Sequence, residues 1–71
     1  MKTVEYKLKD EFIPLAALLK VCDVVSSGGE VGIILADDRI LYNGEVEFRK
    51  RKKCYSGDEI IIDNNFKIMV K

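Results

Sequence analysis

The chain has 71 residues, 12 basic and 12 acidic, two cysteines and no histidine or tryptophan. Its 48% apolar content is that of a folded globular chain, at a length near the lower limit for folding without staples. Zinc sites need clustered Cys and His ligands, so no structural metal and no cofactor are expected. Residues 1–11 are charged, unlike a secretory signal, and no apolar run approaches the roughly 20 residues of a membrane span. A single cytoplasmic domain over residues 1–71 is the expectation, with Cys22 and Cys54 as reduced, half-buried thiols. One disulfide is the other reading.

Thr3 to Leu8 alternates polar and apolar residues, the period of a strand with one buried face. Ile13 precedes a proline and favours extended geometry, and Pro14 suits a first helical position. Leu15, Leu18, Leu19 and Cys22 then recur at helical spacing, with Ala16 and Ala17 between them, which predicts a helix over about 14–22. Ser27-Gly28-Gly29-Glu30 reads as a capping box. The Ser27 hydroxyl would accept from the Glu30 amide, and the Glu30 carboxylate would reach back to the Ser27 amide. The second helix carries Val31, Ile34 and Leu35 on one side and stops at about Ala36 or Asp37. Asp38 follows as a turn residue that tolerates left-handed geometry.

Ile40-Leu41-Tyr42 and Val46–Phe48 flank Asn43-Gly44, the pair favoured in a type I′ hairpin turn. Ser56-Gly57-Asp58 marks another turn, and Ile60–Ile62 with Phe66–Val70 reads as a closing hairpin. The order predicts an α+β fold: a strand, two packed helices, then two hairpins in a small, mainly antiparallel sheet. Most of the aromatic residues fall at apparent core positions, which makes stacking of unpaired bases a minor route.

Between the hairpins lies Arg49-Lys50-Arg51-Lys52-Lys53. The acids are scattered, so this run makes a local positive face on a chain of zero net charge. Two readings compete for it. It is a phosphate-binding surface, or a solvated turn or edge strand whose lysines discourage pairing. The glycines at 28 and 29 cost helix stability, which fits either an anion at the helix start or tight packing of another segment. No histidine, phosphate loop or Cys–base pair supports catalysis, and no catalytic residues are assigned.

Several stretches in order resemble the S-four-type RNA-binding domain, the alpha-L motif, in its small standalone bacterial form. They are Leu15–Lys20, Ser27–Glu30, Asn43–Glu47, Arg49–Lys53 and Gly57–Ile60. The resemblance implies a helix pair beside a small sheet, with structured RNA, ribosomal or transfer RNA, lying across the second helix and the hairpin, and a ribosome-associated role. By position it implies that Ser27, Gly28, Gly29 and Arg49, Lys50, Arg51, Lys52 and Lys53 face RNA, with Lys20 and Arg39 flanking. The chain departs from the pattern at Val31-Gly32, where a small residue and a cation are usual, and at Asp38, where glycine is usual. Both changes make the helix face less positive, which implies either weaker affinity or a contact shifted toward Arg49–Lys53. The rival reading is a ribosome- or replication-associated protein adaptor using a strand edge or Asp37-Asp38. Duplex DNA ranks last, since the second helix is mostly apolar and acidic.

Overall fold

A computed structural model describes residues 1–71. The chain runs β1 (Lys2–Tyr6), β2 (Ile13–Pro14), α1 (Leu15–Val21), α2 (Gly28–Ala36), β3 (Ile40–Tyr42), β4 (Glu45–Val46), β5 (Lys53–Cys54), β6 (Glu59–Ile62) and β7 (Phe66–Val70). Five strands form one sheet in the order β1-β7-β6-β3-β4, and β2 pairs with β5 in a separate two-stranded sheet. All pairs are antiparallel except β1 with β7, where Val4 lies opposite Ile68. The α+β architecture is as the sequence predicts. The parallel edge pair is not legible there, because it joins the two ends of the chain.

Thirteen buried apolar residues make one core. Leu15, Leu18 and Leu19 of α1 and Val31, Ile34 and Leu35 of α2 supply its helical side. Ile40, Ile60, Ile62, Ile68 and Val70 supply the sheet side. The alternation Ile60–Ile62 and Ile68–Val70 puts one face of the central strands inward, as period-2 geometry requires. Asn43 and Gly44 both take positive φ, 50° and 90°, as a type I′ turn demands. Asp38 turns the chain after α2 with φ 55°.

Four local expectations need correction. Pro14 is not the first helical residue. It stays extended (φ −63°, ψ 144°) because β2 pairs with β5, and it occupies the cap position of α1. In α2 the Ser27 hydroxyl does accept the Glu30 amide, at 3.4 Å, but the Glu30 carboxylate accepts from the amide and hydroxyl of Ser26, not from Ser27. Strand β4 ends at Val46, so Phe48 lies outside it. None of the six aromatic side chains is fully buried: Tyr6, Tyr42 and Phe66 pack against the core, whereas Phe48 and Tyr55 are exposed. The case against base stacking therefore does not extend to Phe48 and Tyr55. Both cysteines are free thiols.

Candidate functional site

The basic run forms a turn, with the Lys52 amide donating to the Arg49 carbonyl at 3.2 Å. This turn is seated on the start of α1. The Leu15 amide donates to the Lys52 carbonyl (2.8 Å) and the Ala16 amide to the Lys50 carbonyl (2.9 Å). The first amides of a helix have no partner within it, and Pro14 offers no side-chain cap, so the basic turn supplies the missing acceptors. Its carbonyls point into the fold and its side chains outward. Lys50, Arg51 and Lys53 are all exposed, and Lys52 is half-buried.

Beside the turn runs an open groove of about 690 Å³ lined by Phe12, Pro14, Ala16, Ala17, Lys20, Gly28, Lys50, Arg51 and Lys53. An adjoining hollow of about 550 Å³ is lined by Arg49 through Lys53 and Tyr55. The groove therefore joins cations from α1 and the basic turn to the first residue of α2. A Cβ added at Gly28 would lie 3.7 Å from Lys20 Nζ, so the ammonium sits beside that helix start. The Gly28 and Gly29 amides have no hydrogen-bond partner within the chain.

The predicted site residues divide by electrostatic state. Arg39 lies outside the groove and is held by Asp63, with Nε–Oδ1 at 2.5 Å and Nη2–Oδ2 at 2.8 Å. Its guanidinium pKa is raised, first by that hydrogen bond. Arg49 is held by Glu47, with Nε–Oε2 at 3.0 Å and Nη2–Oε1 at 3.3 Å, and the Arg49 hydrogen bond keeps the Glu47 carboxyl below its ordinary range. The other ion pairs are Lys67–Glu59 and Lys71–Glu5. Lys20, Lys50, Arg51, Lys52 and Lys53 take part in none of these ion pairs. Two of them rest on rings: Lys52 Nζ is 4.9 Å from the Tyr42 centroid and Lys53 Nζ is 4.8 Å from that of Phe12. Ser27 and Gly29 adjoin the groove through Gly28 but do not line it.

Phe12, Tyr42 and Tyr55 are site neighbours that residue-by-residue reasoning passes over. The available signal was the bracketing of the basic run by Phe48 and Tyr55. A smaller hollow of about 210 Å³ between α2 and the β6–β7 turn is mostly apolar, lined by Val24, Val25, Ile33, Ile34 and Ile62 among others, with Arg39 and Asp63 at its wall. No group of metal-ligating side chains is assembled anywhere in the structure. No helix is long and apolar enough to cross a membrane.

The two helices, the small mixed sheet and the cationic groove coincide with a family match: the model of the S4 domain covers residues 6–71. The chain belongs to the S4 domain family. It is similar to a protein of Bacillus subtilis (strain 168) named probable ribosome maturation protein RlbA, with 38% identity over 53 residues, 75% of each chain.

Proposed function

We propose that this chain is a non-catalytic, cytoplasmic RNA-binding protein that recognises structured RNA, ribosomal or transfer RNA, in association with the ribosome. The observation that carries the reading is the groove. It brings Lys20, Lys50, Arg51 and Lys53, none of them ion-paired, onto one surface next to the free amides at the start of α2. A chain of zero net charge gains no general attraction to polyanions. Its positive field is local, which suits a partner whose phosphates are fixed in space. Family membership and the ribosome-maturation name of the Bacillus relative support the same class of partner.

The groove, with Ser27 and Gly29 at its border, is the proposed contact surface, and Arg39 and Arg49 serve the fold instead. Titration of ribosomal RNA fragments at two salt concentrations tests this. Four phosphate contacts give a log–log salt slope of about −3 to −4. Lys50→Ala with Arg51→Ala should weaken binding and flatten the slope by about 1–2. Binding unchanged by that pair of substitutions overturns the reading.

A further inference from the structure

We propose that Phe48 is a stacking platform for an unpaired base next to the phosphates held by the basic turn. This rests on the RNA-binding reading above. It narrows the partner to RNA with a bulged, looped or terminal nucleotide at the junction.

Phe48 is 70% exposed, the most exposed aromatic side chain of the molecule. Its ring also stands apart from the others. Phe12 packs near Tyr55, and the rings of Phe12, Tyr42 and Phe66 each carry a lysine, whereas Phe48 has neither an aromatic nor a cationic partner. A ring left free in this way is open to a flat partner surface.

Its backbone, by contrast, is tightly held. The Glu47 carboxylate, in a residue only 6% exposed, accepts the Phe48 amide at 3.2 Å and the Arg49 amide at 3.0 Å, together with the Arg49 guanidinium. A buried acid and its arginine are thus committed to fixing the chain where the ring leaves it. A pre-positioned ring loses little freedom on binding.

Continuity and charge identify the occupant. The hollow beside Phe48, about 340 Å³, includes Arg49 and Lys52, which also line the hollow of the basic turn. The surface is therefore unbroken from the groove to the ring. Along it the charge changes sign: Glu45 and Glu47 flank the ring's end, and Glu47 is offset by Arg49 while Glu45 is exposed and has no cationic partner. Phosphates favour the turn and are disfavoured beside Glu45. What suits Phe48 is the uncharged, flat part of the same nucleotide chain, a base face.

The test compares a short blunt-ended RNA duplex with the same duplex carrying one unpaired uridine. Wild-type protein should bind the bulged RNA roughly tenfold more tightly, within the range of one base–aromatic stack. Phe48→Leu should abolish that margin while leaving duplex affinity unchanged, and Phe48→Trp should keep it. With bromouridine at the bulge, irradiation should crosslink the RNA to the tryptic peptide Ile40–Arg49. Equal binding of both RNAs without that crosslink overturns the stacking role and leaves the RNA reading standing. Failure of the wild type to bind either RNA overturns both. If Phe48→Leu keeps the bulge preference but releases a protein partner that survives ribonuclease, Phe48 is a protein contact and the proposal falls.

Discussion

The backbone amide of Ala16 donates to the carbonyl of Lys50 across 2.9 Å. One hydrogen bond thus ties the first turn of the core helix to the second residue of the basic run. With the neighbouring Leu15–Lys52 bond it makes the cationic turn part of the helix cap, so its position is set by the core and not by its own flexible side chains. Leu15 and Leu18 anchor that helix, both at 0% exposure.

This linkage predicts unusual protection at a helix start. First-turn amides normally exchange freely with solvent, but those of Leu15 and Ala16 should exchange as slowly as amides in the middle of α1 in hydrogen-exchange measurements. Leu18→Ala, which empties a core position, should cost about 2–5 kcal/mol in urea unfolding. A chain of this size holds only on the order of 0.05–0.15 kcal/mol per residue. The variant should therefore lose protection at both amides together with the rest of the fold.

Gly32 offers a gain-of-function test. It is exposed, a Cβ there meets nothing within 4 Å, and it lies one helical turn beyond Gly28 on the same side of α2. Gly32→Lys should raise stability by about 0.5–1 kcal/mol through helix propensity. It should also tighten RNA binding and steepen the log–log salt slope by about 1, because the cation joins the groove side of the helix. A gain in stability with no change in RNA affinity would place the contact surface away from α2.

Acid should unfold the protein through a small set of carboxylates. The Arg49 hydrogen bond lowers the pKa of Glu47, and the Arg39 hydrogen bond lowers that of Asp63. At Asp58, desolvation pushes upward but is outweighed by hydrogen bonds from the Tyr42 hydroxyl, the Tyr55 amide and the Asn43 side chain. A carboxyl with a depressed folded pKa contributes stability above its ordinary value, here 4.5 for Glu and 3.8 for Asp, and loses it as pH falls through the folded value. The urea midpoint should be flat from pH 7 to about 5 and drop below about pH 4. Glu47→Gln should lower the neutral-pH midpoint and flatten the acid limb, since the amide cannot titrate and leaves Arg49 without its anion.

The two thiols should differ in reactivity. Cys54 is wholly buried, and burial pushes its thiol up to about 12. Cys22 is half-buried, its thiol raised by burial and then by Asp23. At pH 8 a chromogenic disulfide reagent should modify Cys22 slowly and Cys54 only after denaturation, because the thiolate is the nucleophile. Fast reaction of both thiols in the native protein would contradict the buried position of Cys54.

The features legible in the residue order alone are local. Asn43-Gly44 set the hairpin through positive φ, Ser27 set the start of α2 through its hydroxyl, and the spacing of Leu15, Leu18, Leu19, Val31, Ile34 and Leu35 placed both helices and their buried sides. Each follows from contacts within a few residues, where periodicity and turn chemistry act. The α+β class and the basic run at 49–53 were legible for the same reason. Tertiary structure decided which cations are free. Arg39 is neutralised by Asp63, 24 residues away, and no spacing rule reports that pair. Arg49 and Glu47 are only two apart, yet no periodicity reports their pairing, because β4 ends at Val46 and the residues between them lie outside any strand. Lys20 joins Lys50, Arg51 and Lys53 only because the basic turn caps α1. The hairpin pattern carries the second strand on through Phe48. That residue is exposed because the core was already filled by thirteen smaller side chains, and the strand stops before reaching it.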